Sequence, residues 1–413
     1  MGRLLSVPAF FGLRVALAVG LLKLSASFLP VSGFAVFSQL MLFAALLNVL
    51  ALCGAQNGVI RQAAAAAGDL DDLMHTQSAA FAIWLAVAPV ALLVVFLGRN
   101  LVSNILVGST AEWPTILAIT AMVLAGAQSG IWCALLTGRK RVTQSLAAQA
   151  AGVIFGAGAA AWRIAAHDAD GAALAFASGS LVTTCVALPF ALRLGLPLVP
   201  RRWSWPPIRT LLHYSAGIAA STGYSSIVAF GLRWLYREHF GVTQLGYWLA
   251  SSRVSDTSTQ LIGLFMIQVF VPHLAMTEDE GERRAFLMRS WGVAAGVMTS
   301  FLVVFSLASG PLIHIFLSDS FLPTAVIIRT CMIGDVLRVW PSLAMHTAFA
   351  NGQPLRYAGI EIGALTVMGV VGAVLTAAGD PAALQTGYVV AYALAAIVVS
   401  VAFLMRPARP AIA

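Results

Sequence analysis

Gly246-Tyr-Trp-Leu-Ala-Ser-Ser-Arg-Val-Ser-Asp256 lies inside an apolar segment that continues to Pro272. Arg253 and Asp256 fall about ten residues into it, near the middle of the ~20 residues a helix needs to cross a bilayer. Ionisable side chains at that depth are costly, and they are typically paired, turned to a cavity and functional. The fold and the function both follow from asking what these two charges do there.

The rest of the chain has the same character. Of 413 residues, 60% are hydrophobic and 10% are charged, against roughly a quarter charged in a soluble domain. This composition excludes a soluble globular enzyme and indicates an all-α polytopic membrane protein. Gly and Ala are abundant throughout, as close packing between membrane helices favours. Apolar windows at 7–29, 33–60, 77–98, 114–137, 143–164, 171–192, 210–236, 244–274, 287–308, 323–350, 355–377 and 383–405 predict twelve transmembrane helices. The first window carries Arg14 and Lys23 and lacks a clean cleavage site, so it is expected to be a retained span rather than a signal peptide. Cys53, Cys133, Cys185 and Cys331 all fall in apolar segments without metal or disulfide spacing, and buried free thiols are expected.

The loops alternate in charge. One set holds fifteen of the 24 Lys and Arg residues, among them Arg61, Arg139-Lys140-Arg141, Arg193, Arg201-Arg202, Arg283-Arg284 and Arg356. The opposite set holds Arg99 and Arg237, with Arg163 and Arg329 near span ends. By the positive-inside rule both termini are expected in the cytoplasm. The same rule accounts for much of the net charge of +8, and no nucleic-acid partner is expected. Two six-helix lobes follow, at 1–193 and 209–413, joined by a cytoplasmic linker at 194–208 that contains Pro-Arg-Arg-Trp and Trp-Pro-Pro. Residues Met276 to Arg289 mix acids and arginines as a solvated cytoplasmic turn. A shift of 213 residues sets Gly33-Phe34 on Gly246-Tyr247, and a shift of 214 sets Gly138 on Gly352. The near agreement suggests two parallel six-span repeats.

No HExxH, P-loop, GxSxG or zinc-type CxxC spacing is present, and the seven histidines are scattered. A membrane acyltransferase or polysaccharide polymerase is therefore disfavoured. The chain is expected not to be an enzyme, to need no cofactor and to bind no metal. What it offers instead is buried charge: Arg14 and Lys23, Arg233, Arg253 and Asp256, Asp335 and Arg338, and Glu361. Arg253–Asp256 and Asp335–Arg338 are i,i+3 pairs, each on one face of its helix, and they can pair internally or with each other. Arg14 and Lys23 lie ~13 Å apart along the axis on opposite faces, so one of them can snorkel to a surface. Deep arginines suit an anionic cargo, because the guanidinium fork matches phosphate. Asp256, Asp335 and Glu361 beside them suit proton coupling, or simple neutralisation of their neighbours. Gln39, Asn57, Ser225 and Ser226 add hydrogen-bonding groups, and Tyr224, Tyr247 and Trp248 offer faces for stacking on sugars.

Three stretches carry a family likeness. They are Gly54-Ala-Gln-Asn-Gly-Val-Ile-Arg61, the run from Leu232-Arg-Trp-Leu-Tyr-Arg through Gly246-Tyr247, and Ile333-Gly-Asp-Val-Leu-Arg338 leading into Asn351-Gly-Gln-Pro-Leu-Arg356. In these the chain resembles the Wzx-type polysaccharide flippases of the MOP exporter superfamily, and most closely the O-antigen and enterobacterial common antigen branch. The resemblance implies a V-shaped transporter of two six-helix lobes in the bacterial inner membrane. Its cargo would be an undecaprenyl-pyrophosphate-linked oligosaccharide, with a polysaccharide polymerase and a chain-length regulator as candidate partners. Carried onto this sequence, it implies substrate binding by Arg14, Lys23, Asn57, Arg233 and Arg253. Coupling would then fall to Asp256, Asp335, Arg338 and Glu361. The alternative on the same scaffold is a multidrug or metabolite antiporter, which would favour acids facing organic cations.

Overall fold

The computed structural model describes residues 2–404 except 67–68, 199–202, 267–269, 271–272, 275–278 and 352. Among the described residues fifteen α-helices follow one another: α1 (Gly2–Phe28), α2 (Val31–Leu50), α3 (Gln56–Ala65), α4 (Leu70–Leu97), α5 (Arg99–Val107), α6 (Trp113–Gly126), α7 (Gln128–Gly138), α8 (Val142–Ala165), α9 (Ala169–Leu192), α10 (Trp205–Phe265), α11 (Glu280–Leu307), α12 (Ser309–Phe316), α13 (Thr324–Ala350), α14 (Pro354–Ala377) and α15 (Ala383–Leu404). Among the described residues, eight segments are long and apolar enough to cross a membrane: α2, α4, α6 with α7, α8, α9, α11, α14 and α15. The chain is a multi-pass membrane protein. The other four expected windows lie mainly in helices with internal charges: α1 with Arg14 and Lys23, α10 with the seventh window and residues 244–265 of the eighth, and α13 with Asp335 and Arg338.

Local sequence explains the helix boundaries. Asp69, Asp168 and Asp279 each accept a hydrogen bond from a backbone N–H in the first turn of α4, α9 and α11, the N-cap role for which a short carboxylate is well suited. Within α10, Gly241 takes φ +83° and ψ 166°, a left-handed conformation that costs glycine little. It divides the helix between the 210–236 and 244–274 windows. The 33–60 window needs correction. Helix α2 stops at Leu50, and Cys53 and Gly54 take φ of +48° and +70° before α3 begins. An apolar run alone cannot reveal that break.

The chain forms two compact units, Met1–Ser226 and Ile227–Ala413. Part of the expected linker at 194–208 packs on the first unit. Leu194, Leu196 and Ile208 pack on the first unit's core, and the Gln77 side-chain amide donates to the Pro197 carbonyl at 2.7 Å. The Pro-Arg-Arg run, Glu278, Gly352, Arg406 and Arg409 lie outside the described residues. Of the four cysteines, all free, Cys133 and Cys331 are buried and Cys53 half-buried, but Cys185 is exposed rather than buried.

The first unit is held by shape. Phe81 meets Trp132 edge-on at 5.2 Å between ring centroids, and the Trp84 indole N–H donates to the Leu124 carbonyl at 2.8 Å. Helices α8 and α9 pack through Gly152, Gly156 and Gly179. A Cβ on Gly152 would sit 2.5 Å from the Gly179 carbonyl oxygen, and one on Gly156 2.8 Å from that of Phe176. Small residues four apart are the usual device for such close approach in a membrane. In the second unit a core of Met266, Phe270, Leu287, Met298, Val339 and Leu343 joins the end of α10 to α11 and α13.

Gly152→Leu or Gly179→Leu is expected to destabilise the protein by about 3 kcal/mol or more, the upper range of overpacking, whereas Gly158→Leu, with open space around its Cβ position, is tolerated. Unfolding in detergent, followed by size-exclusion survival after heating, reads the difference.

Candidate functional site

In the second unit, polar and charged groups of α10, α13 and α15 meet around Asp335. On α13, Cys331, Asp335 and Arg338 recur at helical spacing and share a face. Asp335 is 1% exposed, and its carboxylate is held from two sides. Ser255 of α10 donates to Oδ2 at 2.6 Å, and the Tyr388 hydroxyl of α15 donates to Oδ1 at 2.7 Å. Arg338 in turn donates to the Tyr388 oxygen at 3.5 Å. The phenol thus stands between acid and base, giving to one and receiving from the other. The Arg338 guanidinium lies 5.2 Å over the Tyr392 ring, a cation–π geometry that strengthens when water is absent. Tyr388 and Tyr392, four residues apart on α15, meet edge-on at 4.9 Å.

Gly334 makes this arrangement possible. A Cβ there would come within 2.5 Å of the Tyr388 ring, so hydrogen at this position lets the phenol lie directly on α13 beside Asp335.

Ser255 lies between Arg253 and Asp256, and the opening stretch therefore touches the network. Arg233, Arg253 and Asp256 are within electrostatic reach of one another, and Asp256 also acts on Arg338 across to α13. Arg233 additionally lies 5.6 Å over the Phe230 ring. Glu361 of α14 acts on Tyr357 and Tyr392. The two i,i+3 pairs are accordingly not closed units. Asp335 takes its direct bonds from other helices, and the second-unit charges form one neighbourhood.

A cavity of about 250 Å³ opens beside it, walled by Thr259, Gln260 and neighbours on α10, Met266 just past its end, Met298 on α11, and Asp335, Arg338, Ser342 and His346 on α13. All of its walls belong to the second unit.

The remaining sequence candidates lie elsewhere or do other work. Arg14 is exposed and Lys23 half-buried on α1 in the first unit. The Asn57 side chain lies outside those described. Ser225 and Ser226 both donate to the Thr222 carbonyl of their own helix, so they are satisfied locally rather than across helices. Trp248 is a core residue, 6% exposed, whereas Tyr247 is half-buried and packs edge-on against Phe321 at 6.2 Å. Gln39 is buried, with neither side-chain amide atom partnered among the described residues. The residues that sequence reading missed are Ser255, Tyr388 and Tyr392. The available signal was two of the chain's seven tyrosines set one turn apart in an apolar helix.

Comparison with known proteins fits this picture. The family described as "Polysaccharide biosynthesis protein" matches residues 24–326. A search of curated proteins finds no match. Among solved structures, the chain is similar to an inward-facing multidrug resistance MATE family transporter of the MOP superfamily, with a TM-score of 0.77, 14% identity, and 95% of this chain and 94% of that one covered. It is also similar to the lipid II flippase MurJ in an inward closed conformation, with a TM-score of 0.72, 13% identity, and 98% and 88% covered. A MOP superfamily transporter from Pyrococcus furiosus, whose binding pocket is described as having reversed polarity, aligns with a TM-score of 0.63 at 14% identity over 97% and 94%. At these identities the likeness establishes the fold, which is that of MOP superfamily transporters.

Removing one partner from the buried network should be costly. Asp335→Ala is expected to lose about 3–5 kcal/mol, because it strands Arg338. Tyr388→Phe is expected to lose about 1–3 kcal/mol, for two hydrogen bonds broken and one acceptor left unsatisfied. Chemical denaturation in detergent gives the order. A Tyr388→Phe protein as stable as wild type overturns the bridging role of its hydroxyl.

Proposed function

The chain belongs to the polysaccharide biosynthesis protein family, and on that footing we propose that it moves an undecaprenyl-pyrophosphate-linked oligosaccharide across the bacterial inner membrane. The cargo is a repeat unit of the O-antigen or enterobacterial common antigen type, passed from the cytoplasmic to the periplasmic leaflet. All twelve apolar windows cross the bilayer, both termini stay in the cytoplasm, and the chain acts as a transporter rather than an enzyme. The sugars are then available to a polymerase and a chain-length regulator.

The observation that carries this reading is the trio Arg233, Arg253 and Asp256, two guanidiniums and one carboxylate in mutual reach within helices surrounded by lipid. Arginines at that depth mark the pathway of an anion. Pyrophosphate is the anion that a lipid-linked sugar supplies, and the planar guanidinium binds it with paired donors. Neutralising the pyrophosphate lowers the barrier to its passage, while the polyprenyl tail stays in the hydrocarbon. Alternating exposure of the site to the two sides completes transport. Arg14 and Lys23 contribute further positive charge from α1. Asp335, in its bonded network, is suited to couple these steps to proton movement, with Asp256 and Glu361 in support. A drug antiporter on the same scaffold is the second reading. It is favoured by the MATE-like fold, but a cation cargo would be repelled by the two arginines of the trio.

The test is translocation of a fluorescent undecaprenyl-pyrophosphate-linked saccharide in proteoliposomes. Arg253→Gln is expected to slow it roughly tenfold to a hundredfold, the value of one or two charge-assisted bonds, with Arg253→Lys retaining part of the rate. Wild-type rates in a folded Arg253→Gln protein defeat the role assigned to Arg253.

A further inference from the structure

The second-unit cavity has no occupant in that scheme, and its chemistry differs from that of the trio. Its wall carries one acid, Asp335, and one permanent base, Arg338, so their formal charges cancel. Asp335 would also repel a phosphate placed against it. The cavity is therefore poorly suited to the pyrophosphate that the trio attracts.

Hydrogen bonding points to a different ligand. The Asp335 carboxylate offers about four acceptor sites and uses two, for Ser255 and Tyr388. Among the described residues Arg338 commits one N–H, to Tyr388, out of about five. The His346 Nδ1 donates to the Ser342 carbonyl at 2.7 Å, which leaves Nε2 as an acceptor in the neutral ring. The Gln260 amide adds a donor and an acceptor. Donors and acceptors thus alternate around one space. Vicinal hydroxyl groups, each giving and taking one bond, match that pattern; a phosphate accepts only, and an apolar drug does neither.

Shape agrees. The Met266 and Met298 thioethers form an apolar side, pliable enough to follow the C–H face of a sugar ring. A volume of about 250 Å³ is the share of roughly eight waters, close to the bulk of a single pyranose.

We propose that this cavity is a sugar subsite that takes one uncharged pyranose residue. It is held by Asp335, Arg338, Gln260 and His346 and is separate from the arginines that hold pyrophosphate. The proposal rests on the reading that the cargo is a lipid-linked saccharide, and it adds where one sugar of that cargo is recognised. It also gives Arg338 a binding role beside its structural one.

Saturation-transfer NMR on the full-length protein in lipid nanodiscs tests it, with free glucose, galactose, mannose and N-acetylglucosamine as probes. At least one pyranose should show transfer. The signal should weaken about tenfold, the scale of one lost favourable contact, in Met298→Phe, which fills the cavity, and in Gln260→Leu, which removes one amide. Inorganic pyrophosphate should not displace the sugar. No transfer to any pyranose overturns the subsite, as does transfer unchanged in both folded variants or abolished by pyrophosphate. In proteoliposomes, Met298→Phe should slow the glycosylated lipid more than bare undecaprenyl pyrophosphate; equal slowing of the two lipids, or no slowing of the glycosylated one, overturns it too. A wild-type protein that moves neither lipid defeats the flippase reading, and the NMR result then decides the subsite on its own.

Discussion

A carboxylate buried among apolar helices has to be satisfied by protein, because hydrocarbon offers no hydrogen bonds in exchange. In this chain that carboxylate is Asp335, and much of the second unit is arranged around it. Helix α10 supplies a hydroxyl from Ser255 and α15 a phenol from Tyr388. Gly334 leaves out a side chain so that the phenol can reach, and Arg338 balances the charge through that same phenol. Three helices are thereby tied at one atom group. The apolar core of Met266, Met298 and Val339 lies just beyond it, so the polar and apolar halves of the packing fix each other's register.

The first unit packs chiefly through hydroxyls and glycines. There, hydroxyls on α9 reach carbonyls on α6: Ser180 donates to Met122 at 3.4 Å and Thr184 to Gly126 at 3.2 Å. Gly152, Gly156 and Gly179 bring α8 and α9 into backbone contact. Such packing is strong in lipid because dispersion and weak polar contacts accumulate over a long interface, but it does not handle charge. The two units therefore differ in kind. One is a close-packed scaffold, and the other holds a titratable network beside a surplus of arginine.

How much of this was legible in sequence depends on the length scale of the signal. Apolar windows are long-range signals, and each of the twelve lies mainly in helix. Single-residue breaks are not, so the turn at Cys53–Gly54 inside the 33–60 window escaped notice, whereas Gly241 fell in a gap between windows. The i,i+3 pairs announced that Asp335 and Arg338 share a face, yet not that Tyr388, more than fifty residues on, would come between them. Helical spacing says which residues of one helix are neighbours and nothing about which helix they meet. Polar content misled for the same reason. Ser225 and Ser226 read as available hydrogen-bonding groups but each donates within its own helix, while Ser255, unnoticed between two charges, makes the bond that joins α10 to α13. Tyr247 and Trp248 looked available to sugars because sequence does not distinguish a packed aromatic from a free one.

That bond from Ser255 has a mechanical consequence. Successive residues on a helix differ by about 100° in direction, so Arg253 and Ser255 point to different sides of α10 yet move as one body. Any rotation of this segment that redirects Arg253 must also carry the Ser255 hydroxyl away from Asp335, whose carboxylate has Tyr388 as its other hydrogen-bond donor. The reverse holds as well: a proton on Asp335 weakens the pull on Ser255 and frees α10 to turn. On the proposed reading, anion capture at Arg253 and the protonation state of Asp335 would be linked through one hydrogen bond and a rigid helical turn. Linkage of this kind is reciprocal by thermodynamic necessity, and it needs no longer pathway than the two residues that separate Arg253 from Ser255.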